Sequence, residues 1–331
     1  MLRQPQARHV LKALAAVLLC AAASTTSVLA QGFPSKPIKI TLGLPVGSGP
    51  DAITRVIGQR MATDLGQSVI VDNKPGASGT LAMGLGSRAP ADGHELNLVD
   101  GGDVAINKYV FKKLPYDLSR DFEPVGLVFR AYFFLTVPAN SPFKTVQELV
   151  AYAKAHPGEL TYGSFGAAHT TRLSMERFMQ AAGIQMLHIP FKDTGQLIAA
   201  TASGEVSVIM NGAASVRSGV DSGKLRMLAV AADARQPTHP AVPTIAESGG
   251  PKFEPQVVWV GLMAPKGTPK DVISKLNASL QKALSDPSIK QRLDAFVMFP
   301  APGTPQDFAA FIRAEDERYG KLVKALNIQL D

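Results

Sequence analysis

Between residues 45 and 80 the chain carries two short loops of small residues, each directly after an apolar run and directly before a helical pattern. The first is Val46-Gly47-Ser48-Gly49-Pro50-Asp51 and the second is Gly76-Ala77-Ser78-Gly79-Thr80. The chemistry open to such loops is anion binding. A strand end, a glycine turn and a helix start together present free backbone N–H groups and the positive end of a helix dipole to one spot. Two such spots side by side, at the carboxyl ends of neighbouring parallel strands, would line a crevice with donors and suit a carboxylate or a phosphate. One loop of this kind is no more than a βα turn requires, whereas the pair argues for a ligand.

The elements that must position these loops follow from hydrophobic spacing. Residues 38–44 and 68–71 are apolar, β-branched runs that read as buried parallel strands. Helices are expected over 52–65, where Ile53, Val56, Ile57, Met61 and Leu65 share a face, and over 81–88. Asp51 stands at the expected N-cap of the first helix, and Thr80 or Ser78 at that of the second. A third strand, 96–99, runs into Asp100-Gly101-Gly102-Asp103, a third corner of the same kind. The apolar run 125–137 suits a strand crossing into a second domain. There the pattern recurs in outline. An amphipathic helix spans 145–155, and a short strand, 160–162, then opens a small-residue loop that holds Ser164, Phe165, Ala168, His169 and Thr170, with a helix over 172–182 beyond it. Strands at 186–191, 206–210 and 224–231 follow, the second ending at Asn211, and a helix is expected at 195–203. Residues 257–264 read as the returning crossing, and helices at 272–284 and 308–326 are expected to pack on the first domain. Alternating strands and helices predict α/β architecture with parallel sheets, in two domains joined by two crossings with a cleft between them. Residues 31–128 with 256–331 are expected to form the first domain, and 129–255 the second.

The chain has 331 residues, 46% hydrophobic and 18% charged, enough for two domains with cores of their own. Residues 1–30 stand apart. Arg3, Arg8 and Lys12 precede an apolar run at 13–23, and Val28-Leu29-Ala30 offers a small-residue cleavage site, so the segment reads as a secretory signal peptide. Its apolar run is too short for a permanent membrane anchor. The only cysteine, Cys20, lies inside it, after Leu18-Leu19 rather than the small residue a lipid-modified cysteine prefers. A mature chain without cysteine has no disulfide, no thiolate nucleophile and no zinc–thiolate site. Three of the 34 basic residues and none of the acidic ones lie in the signal, which takes the formal charge from +7 to +4. With no basic run interleaved with aromatics, nucleic acid is not the expected partner.

Other chemistries fit less well. Gly47-x-Gly49-x-x-Ala52 after a strand, with Asp72 about 20 residues on, follows the dinucleotide fingerprint in outline. Against it stand the export signal and Asp51, whose carboxylate would lie near a pyrophosphate. Gly-x-Ser-x-Gly occurs nowhere in the chain. His94, His156, His169, His188 and His239 show no metal-ligand spacing, and only His169, in a loop facing the cleft, is a ligand-contact candidate.

A resemblance covers nearly the whole mature chain. PVGSGPDAITR (45–55), VDNKPGASG (71–79), Ala91-Asp92-Gly93, Leu114-Pro115-Tyr116-Asp117, Tyr162-Gly163-Ser164, His188-Ile189-Pro190-Phe191-Lys192, GKLRMLAV (223–230), VPTIAE (242–247) and APKGTP (264–269) appear in the order seen in substrate-binding proteins of the tripartite tricarboxylate transporter family, the Bug receptors. The resemblance implies a periplasmic two-domain binding protein of type II-like fold, with parallel or mixed sheets and two hinge crossings, that closes on a small organic carboxylate and is neither an enzyme nor a user of cofactors. It implies that loops 46–51 and 76–80 hold one carboxylate through backbone N–H groups and water, and that Ser164 to Thr170 and Asn211 set selectivity. The expected partners are a mono- or dicarboxylate, aliphatic or aromatic, and membrane transport subunits; a membrane sensor kinase is the alternative, and a monomer is expected. Departures leave the ligand open. The family usually has glycine at Ser48 and Ser78, histidine at Arg172, tyrosine at Phe191 and aspartate at Asn211. An asparagine there offers no counter-ion to a ligand ammonium, so amino acids are expected to be selected against.

Overall fold

The computed structural model describes residues 32–165, 169–252 and 257–326. The expected signal segment and Ala168 lie outside them, as do residues 253–256. From Lys36 onward the chain is one compact unit holding two sheets.

In chain order the first sheet begins with β1 (Ile38–Leu42), helix α1 (Gly49–Leu65) and β2 (Val69–Asn73). A 3-10 turn (Ala77–Gly79) leads into α2 (Thr80–Gly86), and β3 (Glu95–Asp100) into a π-helical turn (Gly102–Ile106) that continues as α3 (Asn107–Val110). After α4 (Leu118–Asp121), strand β4 (Phe122–Ala131) is followed, one residue later, by β5 (Phe133–Pro138). The second sheet then takes in α5 (Val146–Ala155), β6 (Thr161–Ser164), α6 (Thr170–Ala182), β7 (Leu187–Pro190), α7 (Thr194–Ser203), β8 (Val208–Gly212), α8 (Ala213–Asp221) and β9 (Leu225–Val230). The chain returns through β10 (Val258–Pro265) and ends in α9 (Lys270–Ser285), α10 (Pro287–Ala295), β11 (Met298–Pro300) and α11 (Pro305–Leu326). The strand orders are β11-β4-β10-β3-β1-β2 and β7-β6-β8-β5-β9.

Both sheets are mixed. β1 pairs in parallel with β2 and β3, and β6 with β7 and β8, as alternation with helices requires. β10 runs antiparallel to β3 and β4, β11 to β4, and β5 to β8 and β9. The antiparallel members are the strands flanking the two passages between sheets, together with β11. The apolar run 125–137 is thus two strands in two sheets, parted at Tyr132, rather than one crossing strand. Neither α10 nor β11 was expected; three residues of edge strand carry too little periodicity to stand out.

Local chemistry explains the helix starts. The N-cap of α1 is Ser48, whose Oγ accepts from the Asp51 N–H at 3.4 Å, so Asp51 is not the cap but the third helical residue. Pro50, in the first turn, gives up an N–H that had no helical partner. Neither Ser78 nor Thr80 caps α2: Gly79, at φ +86°, holds that position without a side-chain bond. Long α11 is fixed against the first sheet by Trp259, whose Nε1–H donates to Glu315 Oε2 at 2.6 Å, and by Phe308, whose ring fills the space over Gly261. Among the described residues no helix is long and apolar enough to cross a membrane.

Candidate functional site

The N-terminus of α1, from the first sheet, and the N-terminus of α6, from the second, open into one cavity. The cavity is narrow, about 40 Å³. Pro45, Ser48 and Gly49 come from the first loop, Phe165, His169, Thr170 and Thr171 from the α6 loop, Asn211 and Ser215 from β8 and α8, and Asp100 from the end of β3. The walls are apolar: Phe129 and Ala131 of β4, Phe133 of β5, Val258 and Val260 of β10, and Met298 of β11.

The two glycine loops behave differently. In the first, the Asp51 carboxylate is buried; its Oδ2 accepts the Gly47 N–H at 3.0 Å and its Oδ1 lies 2.9 Å from Arg55 Nη2. That N–H is therefore used within the loop. Gly49 has a steric reason, since a Cβ there would stand 2.6 Å from Met298 Cε and 3.0 Å from Ala214 Cβ, where the two lobes meet beside the cavity. In the second loop Gly76, Ala77, Ser78 and Gly79 all have positive φ, and Gly79 crosses directly over Gly43. A Cβ on Gly79 would fall 2.1 Å from Asp103 Oδ1. Gly79 and Thr80 are buried, Gly76 and Ala77 are exposed, and Ser78 is half-buried with its carbonyl accepting from Asn107 Nδ2 at 3.0 Å. None of the five lines the cavity.

Asp100 is a component that sequence reasoning left unassigned. Its Oδ1 accepts from the N–H groups of Gly102 (2.7 Å) and Asp103 (3.2 Å), and Asp103 Oδ2 accepts from the Asp100 N–H at 3.3 Å. Burial first, and then the negative charge of Asp100, push the Asp103 carboxyl well above the usual carboxylate range. Both effects favour the protonated form of Asp103, and Asp100 faces the cavity. The signal was present in the sequence as polar residues closing an apolar strand.

His169 caps α6. Its Nδ1 accepts from the Thr171 N–H at 3.2 Å, which assigns the proton of the neutral ring to Nε2. Nε2 lies 3.6 Å from Asp100 Oδ2, across the gap between the sheets. Burial lowers the affinity of this ring for a second proton, with Asp100 acting in the opposite sense. Asn211 is 4% exposed; its Oδ1 accepts from the Gly212 N–H at 2.8 Å, and its Nδ2, like His169 Nε2, has no hydrogen-bond partner among the described residues.

Of the expected site residues, Ser48, Gly49, Phe165, His169, Thr170 and Asn211 come together around the cavity. Val46 is 63% exposed and points elsewhere, while Gly47 is exposed and Asp51 is buried behind the loop. Ser164 is fully buried, its Oγ 2.7 Å from His188 Nε2, and shapes the strand end from behind. Thr171, Ser215 and the aromatic walls were not anticipated, because only tertiary packing brings them to the cavity.

The chain is similar to several known proteins. The family described as tripartite tricarboxylate transporter family receptor matches residues 53–328. BugT of Bordetella pertussis is 29% identical over 321 residues, covering 97% of this chain and 98% of its own. Among solved structures, R. palustris Rpa4515 with adipate superposes with a TM-score of 0.86 at 30% identity, covering 90% of this chain and 99% of that one. MatC from Rhodopseudomonas palustris with bound malate gives 0.82 at 28%, covering 88% and 100%. The chain belongs to the tripartite tricarboxylate transporter receptor family, whose members are solute-binding proteins.

Proposed function

We propose that this protein is a periplasmic receptor that closes on a small organic carboxylate and delivers it to the membrane subunits of a tripartite tricarboxylate-type transporter. The observation that carries the reading is the convergence of the α1 and α6 N-termini, from different sheets, on one cavity that also holds unpartnered donors. Two helix dipole ends favour an anionic ligand, and apolar walls favour its carbon body. The adipate and malate held by two similar proteins support the choice of carboxylates. In this reading residues 1–30 direct export. The first sheet moves against the second, about the passage at Tyr132 and the return into β10, so the boundary falls after Ala131, the last residue of β4, rather than after residue 128. Ser48 and Gly49 of the first loop shape the carboxylate end, loop 76–80 packs behind them against Gly43, and His169, Thr170 and Asn211 shape the selective end.

Isothermal calorimetry over mono- and dicarboxylates, aliphatic and aromatic, tests the reading. At least one should bind with micromolar affinity or better, about −8 kcal/mol. Tight binding of a sugar or a metal cation with no acid bound would overturn it.

A further inference from the structure

The polar groups inside the cavity do not match a second carboxylate. Asp100 Oδ2 offers an acceptor with a negative charge, while His169 Nε2 and Asn211 Nδ2 offer donors. Local bonds assign the donors on both sides of the gap. Oδ1 of Asn211 is fixed as the acceptor of the Gly212 N–H, and Nδ1 of His169 as the acceptor of the Thr171 N–H. Both unpartnered atoms are fully buried, so each carries a desolvation cost until a ligand meets it.

From this set we infer that the protein selects a monocarboxylate whose apolar body carries one uncharged group able both to donate and to accept, a hydroxyl or a primary carboxamide. The inference rests on the carboxylate-receptor reading and narrows it. A hydroxyl donates its proton to Asp100 Oδ2 and accepts from both His169 Nε2 and Asn211 Nδ2 with its two lone pairs, so every group is satisfied. A second carboxylate only accepts; it would satisfy the two N–H groups while facing Asp100 in a buried site, charge against charge. An ammonium only donates, which suits Asp100 and leaves both N–H groups unpaired. This revises the expectation from Asn211 alone: amino acids are disfavoured by unmet donors rather than by the want of a counter-ion. Phe129, Phe133, Phe165 and Met298 supply the surface for the body of the ligand.

The test is calorimetry on the mature chain with two matched series: hexanoate, 6-hydroxyhexanoate, adipate and 6-aminohexanoate; and benzoate, 4-hydroxybenzoate, 4-carbamoylbenzoate, terephthalate and 4-(aminomethyl)benzoate. In the series that binds, the hydroxyl or carboxamide member should exceed the diacid and the amine by tenfold or more. Asp100→Asn keeps an oxygen for the Gly102 and Asp103 N–H groups, and should lower the hydroxyl-to-diacid affinity ratio by tenfold or more. If that variant does not fold, Asn211→Asp reads the same pocket from the other lobe and should raise the amine relative to the hydroxyl member by a similar factor. A diacid or amine preferred by the wild type, or ratios unmoved in the variant that folds, overturns the inference while leaving the carboxylate reading intact. No binding by any member overturns both.

Discussion

Gly79 stands in a loop expected to touch ligand, yet its surroundings assign it a packing role, and the two can be separated by substitution. Its φ of +86° is a conformation in which an alanine costs about 1–2 kcal/mol, and the added Cβ would stand 2.1 Å from Asp103 Oδ1, a buried atom that cannot swing into solvent. Overpacking of that kind costs a further 1–3 kcal/mol or so. Gly79→Ala should therefore lose about 2–5 kcal/mol, a large part of the 5–15 kcal/mol or so of an ordinary domain. Gly47 is the control, with a similar φ of +77° and nothing within 4 Å of a Cβ, so Gly47→Ala should lose only the strain, about 1–2 kcal/mol. Urea unfolding at pH 7, with m-values compared, measures both. Combining Gly79→Ala with Asp103→Ala closes a double-mutant cycle, and a coupling of about 1–3 kcal/mol should appear once the clash is gone. A Gly79→Ala loss no greater than that of Gly47→Ala, or a coupling near zero, would refute the steric argument. Loss of ligand binding on a bulky substitution at Gly79 would then need no direct contact with the ligand to explain it.

Asp103→Asn should become more stable relative to wild type as pH rises from 4 to 8. A carboxyl raised in the fold contributes stability that is complete below the ordinary carboxylate value and lost as pH climbs toward the folded one, and asparagine removes that loss; a constant difference in urea midpoint would refute it. His188 is pushed down to about 4, chiefly by burial and next by Arg172. The stability gained by keeping it neutral is present above about 6.5 and lost as pH falls from there toward 4. His188→Gln should therefore lose less stability than wild type over that interval, and parallel pH profiles would refute it. Closure about Tyr132 predicts a smaller radius of gyration by solution scattering when an identified ligand saturates the protein, and an unchanged radius would count against the hinge.

The sequence reading succeeded where short-range chemistry decides. The strands β1, β3 and β10 are largely buried runs, and their positions were visible to within two residues. The α1 cap went to Ser48 because the Asp51 carboxylate turns back to the Gly47 N–H and to Arg55, a choice between two good capping residues that spacing alone does not make. Half of the cavity was hidden for a different reason. Asp100, Phe129, Phe133 and Met298 are ordinary strand residues until the sheet order sets β3, β4 and β11 around the gap. Met298 in particular sits in a three-residue strand whose partner, β4, lies more than 150 residues earlier in the chain.

The bond from the Gly47 N–H to Asp51 has a kinetic meaning. The loop carries its own carboxylate, so its backbone is ordered by the protein before any solute arrives, and no loop has to freeze at the moment of encounter. The conformational entropy spent on capture then falls on the movement of one sheet toward the other. Differences in residence time between solutes should accordingly be governed by how readily the two sheets part again, through contacts such as Asp100 with His169 and Gly49 with Ala214, more than by the rate at which a solute first lodges against α1.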